Sequence, residues 1–188
     1  MPTQTIDQDR SRLLSNIQSN AYFREKIILS SGKESDYYID ARLVTLTSEG
    51  AYLCARLIMD SIKADVYDAI GGPTLGADPL IGAVGVLSFQ QGKPVNTFII
   101  RKSPKKHGRQ QQIEGPELPG GSKVVLLDDV ATTGKAFIQS LDVLEPLGIE
   151  VIKAICIVDR GEGAKRALAD RGCLLESLFD ISEIHQPQ

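Results

Sequence analysis

Two adjacent aspartates, Asp128 and Asp129, carry the clearest chemical signal in the sequence. They follow four apolar residues, 124–127, and precede a loop of small and hydroxylated residues, 131–134. Paired carboxylates suit the hydroxyls of a sugar, as the acidic residue of a dinucleotide-binding fold suits ribose. Exposed backbone N–H groups at the start of the next helix would attract an anion. The stretch therefore predicts a ligand that combines a ribose with a phosphate.

A basic cluster, RKSPKKHG at residues 101–108, lies in a chain whose formal net charge is −3. Its cations repel one another when nothing is bound, and the segment 102–121 has no pattern typical of a helix or strand. Long connections of this kind are often lids or binding loops. We interpret the cluster as a loop that closes over a polyanion, with His107 able to carry charge near neutral pH. The alternative is a solvated run of surface charge.

Two further polar motifs follow predicted strands. GGPTLG, residues 71–76, has glycines that would let backbone N–H groups approach an anion; otherwise it is a plain turn. Arg160 offers planar recognition of a carboxylate or of paired carbonyls. Its alternative is a surface ion pair with Asp159 or Glu162. For the acid pair itself, the alternative is that the carboxylates cap the next helix.

The phosphate loop of nucleotide hydrolases is excluded as an explanation of the acid-pair loop. That motif requires a glycine five positions before Gly134, where this chain has Asp129. It also requires a serine or threonine after Lys135, where this chain has Ala136. A carboxylate at the glycine position would repel a triphosphate.

Strand and helix patterns alternate from residue 66 onward, which predicts a three-layer α/β fold with a mostly parallel sheet. The predicted strands are 67–70, 95–100, 124–127, 151–158 and a last strand or irregular tail at 173–179. The predicted helices are 9–18, 47 or 48 through 62, 80–89, 135–147 and 164–169. Residues 26–29 and 37–39 predict a strand pair outside the main sheet. Ligands of such folds bind beyond the carboxyl ends of the strands, where the motifs above lie.

Composition limits the classes of protein that remain. The 188 residues fit one domain, and 42% hydrophobic with 24% charged residues is ordinary for a globular protein. A net charge of −3 argues against a nucleic-acid partner. No apolar run approaches the ~20 residues of a membrane span, so no membrane partner is expected. The 3 cysteines are scattered without a disulfide or zinc pattern, which with the polar N-terminus predicts a reduced, cytoplasmic protein.

VVLLDDVATTGKA, residues 124–136, resembles the phosphoribosyl-pyrophosphate motif of the type I phosphoribosyltransferases. RKSPKKHG, followed by IEG at 113–115, is similar to the flexible loop of the orotate phosphoribosyltransferases within that family. SGKESDYYID at 31–40 resembles their N-terminal hood, and IVDRGEG at 157–163 their base-recognition strand end. The resemblance covers about 29–163. It implies a parallel five-stranded core sheet and a small hood.

The resemblance implies a specific activity and set of partners. The reaction is transfer of a phosphoribosyl group from phosphoribosyl pyrophosphate (PRPP) to orotate, giving orotidine monophosphate and pyrophosphate in de novo pyrimidine (UMP) biosynthesis. Mg²⁺ would be carried by the diphosphate, with no direct protein ligand. A homodimer is implied, in which the loop 102–115 of one subunit reaches the active site of the other. The chain would form a single domain, 1–188, with hood elements in about 1–45 and the core in about 46–180.

The same resemblance implies roles for individual residues. Catalytic roles would fall to Lys105, Asp128 and Asp129. The residues implied to bind PRPP are Arg101, Lys102, Lys105, His107, Asp128, Asp129, Val130, Ala131, Thr132, Thr133, Gly134, Lys135 and Ala136. Thr132 and Arg160 would contact orotate.

This sequence departs from some family members at two positions. Those members have lysine ligands of the diphosphate where this chain has Ser30 and Leu75. The two contacts are therefore in doubt here, and the closing loop would carry more of the positive charge.

Two rival functions remain at this stage. A purine phosphoribosyltransferase would share the acid-pair loop. It would lack RKSPKKHG and the arginine of DRGEG, which follows the predicted strand 151–158. A non-catalytic regulator that binds PRPP and controls RNA or DNA should carry a broad basic surface or an added DNA-binding domain. The net charge and the length of the chain both argue against such a regulator.

Overall fold

The fold is that of a computed structural model, which describes residues 5–28, 34–104 and 112–185. The described strands are β1 (Tyr22–Phe23), β2 (Ile27–Ile28), β3 (Glu34–Ser35), β4 (Tyr38–Ile39), β5 (Ala69–Pro73), β6 (Asn96–Ile100), β7 (Ile113–Glu114), β8 (Lys123–Ala131), β9 (Glu150–Asp159) and β10 (Leu175–Asp180). The described helices are α1 (Ile6–Asn20), α2 (Arg42–Thr45), α3 (Ser48–Ser61), α4 (Asp78–Gln90), α5 (Lys135–Leu144), α6 (Ala164–Ala169) and α7 (Ile181–Ile184). None of the helices within these ranges is long and apolar enough to cross a membrane.

The central sheet has the strand order β10–β9–β8–β5–β6–β7. Every neighbouring pair is parallel except β6 and β7. The predicted mostly parallel five-stranded core is therefore confirmed, with the two-residue β7 added at one edge. β7 lies in the segment 102–121, for which no helix or strand was predicted. That prediction was wrong for residues 113 and 114. Ile113 and Glu114 pair with the end of β6, so they cover backbone groups that an edge strand would otherwise expose.

The sheet is covered by helices on both faces, which confirms the three-layer prediction. Val125 and Leu127 of β8 pack into one apolar cluster with residues of α1, α3 and α4. Val124 and Leu126 pack into a second cluster with residues of α5 and α6. Successive side chains of a strand point to opposite faces, so this one run of four fully buried residues serves both clusters.

The strand pair predicted before the main sheet has different partners. β4 pairs antiparallel with β1, and β2 pairs antiparallel with β3. The prediction paired residues 26–29 with residues 37–39. Of these, residue 29 lies outside the described ranges. The actual register brings aromatic side chains together across the β1 and β4 strands. The rings of Phe23 and Tyr38 lie 6.3 Å apart between centroids, and cross-strand aromatic pairs stabilise such a register.

Helix α3 shows that capping and periodicity predict well where both agree. Its N-cap is Thr47, one of the two residues at which the helix was predicted to begin. The Thr47 side chain accepts a hydrogen bond from the amide of Gly50. The apolar residues spaced at helical intervals, Leu53, Leu57, Ile58 and the C-cap Ile62, are all buried and form the inward face of α3. Helix α5 ends at Leu144, earlier than predicted, and a 3₁₀ turn, Glu145–Leu147, follows it.

The glycine pair of GGPTLG lies inside β5 and not in the loop after it. A Cβ at Gly71 would lie 2.6 Å from ring atoms of Phe98, and one at Gly72 would lie 2.9 Å from Cβ of Ala77. Close packing against the next strand and the start of α4 therefore explains these two glycines. Anion binding is not needed to explain them.

Candidate functional site

The carboxyl ends of β5, β8 and β9 meet at one edge of the sheet. β8 and β9 remain paired up to Ala131 and Asp159, and the amide of Arg160 donates to the carbonyl of Ala131 at 2.9 Å. The turn after β5 brings Gly76 against both aspartates of β8. The structure thus brings together the three polar strand ends that the sequence analysis singled out.

The acid pair lies within β8, which continues past it to Ala131. The prediction that the acids end the strand was wrong, because β9 keeps pairing alongside, with Asp128 opposite Cys156. Each carboxylate accepts a hydrogen bond from the next amide along the chain. Oδ1 of Asp128 accepts from the amide of Asp129 at 2.9 Å, and Oδ1 of Asp129 accepts from that of Val130 at 2.8 Å. The acids therefore bond within their own strand and do not cap α5.

Burial dominates the electrostatics of the pair. It raises the pKa of Asp128 well above its usual range, and the neighbouring charge of Asp129 raises it further. Burial also raises the pKa of Asp129, while the amide of Val130 and then the guanidinium of Arg42 act in the opposite direction. The pair is thus a poorly hydrated centre of carboxyl oxygens, and its raised pKa values reflect the cost of burying negative charge there. Such a centre favours hydrogen-bond donors and developing positive charge in a ligand.

Gly76 allows the close approach of the two carboxylates. A Cβ at this position would lie 2.7 Å from Oδ1 of Asp128 and closer still to Oδ1 of Asp129. Any larger residue would have to displace the carboxylates or the turn. Close contact with the acid pair therefore explains why the last residue of the GGPTLG motif is a glycine.

The loop after β8 turns sharply into α5. Gly134 has a φ of 79°, and a Cβ there would lie 2.7 Å from Cδ1 of Leu168 in α6. Gly134 is also the N-cap of α5, and no side chain caps that helix. Thr132 is half-buried, whereas Thr133 and Lys135 are exposed. The amides of the first turn of α5 are therefore not occupied by a capping side chain.

Two residues of the basic cluster lie beside this edge. Arg101 is ion-paired with Glu114 at 3.2 Å. Lys102 lines a 400 Å³ cavity together with Thr74 of the turn after β5. It also lines a 390 Å³ cavity with Ala136 at the start of α5. The described part of the basic cluster thus faces the same edge as the acid pair.

Four further positions considered from the sequence are Lys105, His107, Ser30 and Leu75. Lys105 and His107 lie outside the described residues, as does Ser30. Leu75 is 58% exposed and brings no charge to the turn after β5. In the same turn, the Thr74 hydroxyl donates to Oδ2 of Asp78 at 2.8 Å, an interaction that the sequence analysis did not anticipate.

Arg160 is held on three sides. Its Nε donates to Oε1 of Glu162 at 2.7 Å, and its Nη2 donates to Oγ of Ser35 at 3.3 Å. Its guanidinium carbon lies 4.6 Å from the centroid of the Tyr37 ring. The ion pair with Glu162, weighed above as a surface alternative, exists but is not at the surface, because the Arg160 side chain is 5% exposed. Asp159 pairs with Lys165 instead, at 3.3 Å.

Sequence reasoning missed the neighbours that come from the N-terminal region. Ser35 and Tyr37 lie more than 120 positions before Arg160, and only their place in SGKESDYYID pointed to them. Asp40 and Arg42 were also missed. Both oxygens of Asp40 accept from the Arg42 guanidinium, at 2.9 and 3.0 Å, and this bidentate pair holds the pKa of Asp40 below its usual range.

Comparison with known proteins agrees with this geometry. The protein-family model described as the phosphoribosyl transferase domain matches residues 72–187 of this sequence. An orotate phosphoribosyltransferase of Synechocystis sp. is 42% identical over 186 residues, which is 99% of this chain and 93% of the relative. A crystal structure of the Mycobacterium tuberculosis H37Rv orotate phosphoribosyltransferase in complex with Fe(III) dicitrate gives a TM-score of 0.83 at 33% identity, covering 95% of this chain and 99% of that one. The same enzyme in complex with PRPP gives a TM-score of 0.78 at 31% identity, covering 94% and 98%. The chain therefore belongs to the phosphoribosyltransferase family and, within it, to the orotate phosphoribosyltransferases.

Proposed function

We infer that the chain is an enzyme that transfers a phosphoribosyl group from PRPP to orotate. The products are orotidine monophosphate and pyrophosphate, in the de novo synthesis of UMP. The observation that carries this inference is the meeting of a buried carboxylate pair, an uncapped helix start and a buried guanidinium at one sheet edge. The family relationship supports orotate as the acceptor, and the M. tuberculosis relative has been crystallised with PRPP.

We propose that the acid pair and the start of α5 bind the ribose phosphate half of PRPP. Asp128 and Asp129 would accept hydrogen bonds from the ribose hydroxyls. The 5′-phosphate would bind the backbone N–H groups of Ala131–Ala136, with the hydroxyls of Thr132 and Thr133. The uncapped first turn of α5 supports this, since free amides and the helix dipole favour a phosphate there.

The reaction would proceed by positioning and electrostatics, without a covalent enzyme intermediate. As the bond from the ribose carbon to pyrophosphate breaks, positive charge develops on the sugar and negative charge on the leaving group. The desolvated carboxylates would stabilise the sugar cation. Arg101, Lys102, Lys105 and His107 would stabilise the departing diphosphate. Closure of the basic loop would exclude water, which otherwise could hydrolyse the activated sugar.

We propose that Mg²⁺ accompanies the diphosphate. No group of three or more His, Cys, Asp or Glu side chains among the described residues is arranged to hold a metal. We propose that the ligands of this ion come largely from the substrate, as those of Mg²⁺ in phosphate sites commonly do. When bound, Mg²⁺ would supply Lewis-acid neutralisation of the leaving diphosphate.

The acceptor would bind between the loop after β8 and the end of β9. We propose that Arg160 pairs with a carboxylate or carbonyl of orotate, and that Thr132 contacts the ring from the sugar side. A purine base offers no carboxylate for the guanidinium. The buried arginine thus favours orotate over the rival purine substrates.

We propose a homodimer in which the loop 102–115 of one subunit completes the site of the other. Subunit complementation tests this arrangement. Lys105→Ala and Asp129→Asn chains would each have low activity alone. After the two are mixed and allowed to exchange subunits, one site in each hybrid dimer would combine an intact loop with an intact acid pair. Recovery of activity on mixing supports the shared site, and no recovery under exchange contradicts it.

We propose a single domain, 1–188, with hood elements in about 1–45, a core in about 46–180 and a catalytic loop at about 102–115. Buried residues of the proposed hood, including Leu13, Ile17 and Ile39, belong to the same apolar cluster as Leu53 and Ile58 of α3. This continuity of the core supports a unit that folds as one.

We also propose that the protein works in a reducing, cytoplasmic compartment. Cys54, Cys156 and Cys173 are all buried and unpaired. Burial raises the pKa of the Cys54 thiol to about 12, so this group stays protonated and chemically inert. The cysteines thus serve as small apolar core residues.

The proposed activity is tested by following the absorbance of orotate after addition of PRPP and Mg²⁺. We expect orotate to be consumed, with one pyrophosphate released per orotate. Adenine, hypoxanthine and xanthine in place of orotate should give no turnover. If folded protein consumed a purine and left orotate unchanged, the purine rival would replace our proposal.

A further inference from the structure

Three aromatic side chains from distant parts of the chain meet behind the acceptor arginine. Tyr22 and Tyr37 are stacked with ring centroids 5.8 Å apart. His185 lies edge-on to Tyr22 at 5.8 Å and tilted against Tyr37 at 6.0 Å. Nδ1 of His185 and the hydroxyl of Tyr22 share a hydrogen bond. We call these three residues the aromatic cluster.

The aromatic cluster is joined to Arg160 through one ring. The guanidinium carbon of Arg160 lies 4.6 Å from the centroid of Tyr37, a distance typical of a cation–π contact. Ser35 links the two residues a second time, since its Oγ accepts from Nη2 of Arg160 and donates to the carbonyl of Tyr37 at 2.8 Å. The orientation of the guanidinium therefore depends on where the Tyr37 ring lies.

The cluster is anchored by the last helix of the described chain. Ile184, next to His185, is 2% exposed. Glu183 forms an ion pair with Arg10 of α1 at 2.6 Å, and its carbonyl accepts from Nε2 of Gln18 at 3.0 Å. These contacts fix the backbone that carries His185. A side chain near the C-terminus is thereby held against the N-terminal strands.

We propose that the aromatic cluster is a positioning unit for Arg160 and so sets the affinity for the acceptor base. The inference rests on the proposed function, because it takes Arg160 as the group that contacts orotate. None of the three aromatic residues needs to touch the substrate. Tyr37 restricts the plane of the guanidinium, and the Tyr22–His185 pair restricts Tyr37.

A purely structural role would have a different signature from this positioning role. His185 is exposed, so its removal takes away little buried area and should cost little stability. A cavity of 530 Å³ lies beside it, lined in part by Ser35, Tyr37, Glu162 and His185. Once the aromatic cluster is weakened, the Tyr37 side chain has room to move into this cavity. Positioning thus predicts a loss of acceptor affinity without a matching loss of stability.

The experiment compares Tyr37→Leu, which removes the ring, with Tyr37→Phe, which keeps it. We expect Tyr37→Leu to raise the KM for orotate by about tenfold, the size expected for loss of one sheltered cation–π contact. The KM for PRPP and kcat should change less than about twofold. Tyr37→Phe loses the hydroxyl, which also interacts with Arg160, but keeps the ring, so its KM for orotate should rise less than that of Tyr37→Leu. Equal constants for the two variants, or parallel losses in both KM values, would overturn the proposal.

A second variant keeps the test decisive if Tyr37→Leu does not fold. His185→Ala should raise the KM for orotate by about threefold, as loss of one weak contact behind Tyr37 would do, at an unchanged unfolding temperature. Glu117→Ala, at an exposed residue remote from the cluster, is the matched control and should leave the constant unchanged. An orotate KM for His185→Ala equal to that of the wild type would contradict the role of the C-terminal residue.

A measurement without substrate separates this inference from the proposed function. In ¹⁵N-labelled protein, the Nε–H signal of Arg160 should carry an upfield ring-current shift from Tyr37. The shift should be kept in Tyr37→Phe and lost in Tyr37→Leu. If wild-type protein did not consume orotate but this pattern held, the proposed function would fail while the positioning geometry stood. An Nε–H signal that does not respond to Tyr37→Leu refutes the positioning unit whatever the substrate is.

Discussion

The sugar side and the acceptor side of the candidate site are built in different ways. The sugar side comes from one contiguous stretch, in which β8, a tight turn and α5 follow one another along the chain. The acceptor side gathers Arg160, Glu162, Ser35 and Tyr37, and its hydrogen bond between Ser35 and Arg160 spans 125 positions. One half of the site is thus specified by local sequence. The other half exists only after the N-terminal strands have docked on the sheet.

This difference predicts different kinds of sensitivity. On the sugar side, glycines at 76 and 134 leave no room for a Cβ, so small changes should disturb the whole arrangement. On the acceptor side, the guanidinium is held by an ion pair, a hydroxyl and a ring, so single changes should weaken affinity in steps.

Lys105→Ala should have the largest effect, because the loop is proposed to stabilise the leaving diphosphate, which neither half of the site would do. We expect turnover to fall by roughly 10²-fold or more, as is typical when one preorganised charge contact is lost. The KM for orotate should change little. Steady-state kinetics against Lys93→Ala, an exposed lysine in the turn after α4, provides the comparison. Near-normal turnover in Lys105→Ala would remove the loop from the mechanism.

Gly76→Ala should break the sugar side. The added Cβ would collide with both carboxylates, and we expect kcat/KM to fall by about 10²-fold, since misplacement of catalytic groups by about 1 Å costs that much. Gly82→Ala in α4 is the matched control, because a Cβ there has nothing within 4 Å. It should keep full activity and gain about 0.5–1 kcal/mol of stability. Equal activity of the two variants would show that the acid pair tolerates displacement.

Arg160→Lys should weaken the acceptor side while leaving the sugar side intact. Lysine keeps the charge but loses the planar fork that pairs with Glu162 and stacks on Tyr37. We expect the KM for orotate to rise by roughly tenfold, the usual size of one charge-assisted contact, with the KM for PRPP unchanged. Arg166→Lys, at an exposed residue of α6, should behave as the wild type. A parallel rise in both KM values would mean that the two halves are coupled.

Asp128→Asn should change stability by a small amount, and the change should be an increase in the free energy of unfolding at neutral pH. Because burial raises the folded-state pKa of Asp128, the folded protein binds its proton more tightly than the unfolded chain does. The stability linked to that proton is present at low pH and is lost as pH rises from about 3.9 through the folded pKa. Asparagine avoids this loss, so the variant should gain about 0.5–2 kcal/mol at pH 7 and less near pH 4.

Thermal unfolding at both pH values checks the Asp128 prediction. Asp170→Asn, at an exposed position after α6, should change stability by less than about 0.5 kcal/mol at either pH. Asp128→Asn should also lose activity, since the position would hold the ribose. A variant that is less stable than the wild type at pH 7 contradicts the view that the buried charge costs stability.

The two halves were also unequally predictable from sequence. On the sugar side, the buried strand, the acids, the turn and the helix all lie within residues 124–144. Hydrophobic periodicity and residue type were therefore sufficient to predict that these elements follow one another. Two boundaries were misjudged. The end of β8 was placed too early, because continued pairing of β8 with β9 is a property of the neighbouring strand. The end of α5 was placed too late, at residue 147 in place of Leu144. Local patterns cannot report which residues a partner strand supplies.

For the acceptor side, sequence reasoning found Arg160 but not its environment. Its burial, its contact with Tyr37 and the inward position of Glu162 depend on how the N-terminal strands pair, and that pairing was predicted wrongly. Nothing around His185 in the sequence indicates a site. Its neighbours Tyr22 and Tyr37 come from the other end of the chain. Such contacts follow from tertiary docking and leave no periodic signal.

The backbone link between the two halves has a consequence for how such enzymes diversify. The amide of Arg160 bonds to the carbonyl of Ala131, so neighbouring strands, about 4.8 Å apart, fix the distance from the sugar loop to residue 160. In the proposed arrangement, side chains around residue 160 can therefore be exchanged without altering where the ribose would bind. The donor half would then be a constant module and the acceptor half a replaceable one. New base preferences can then arise in this fold without rebuilding the chemistry at the sugar.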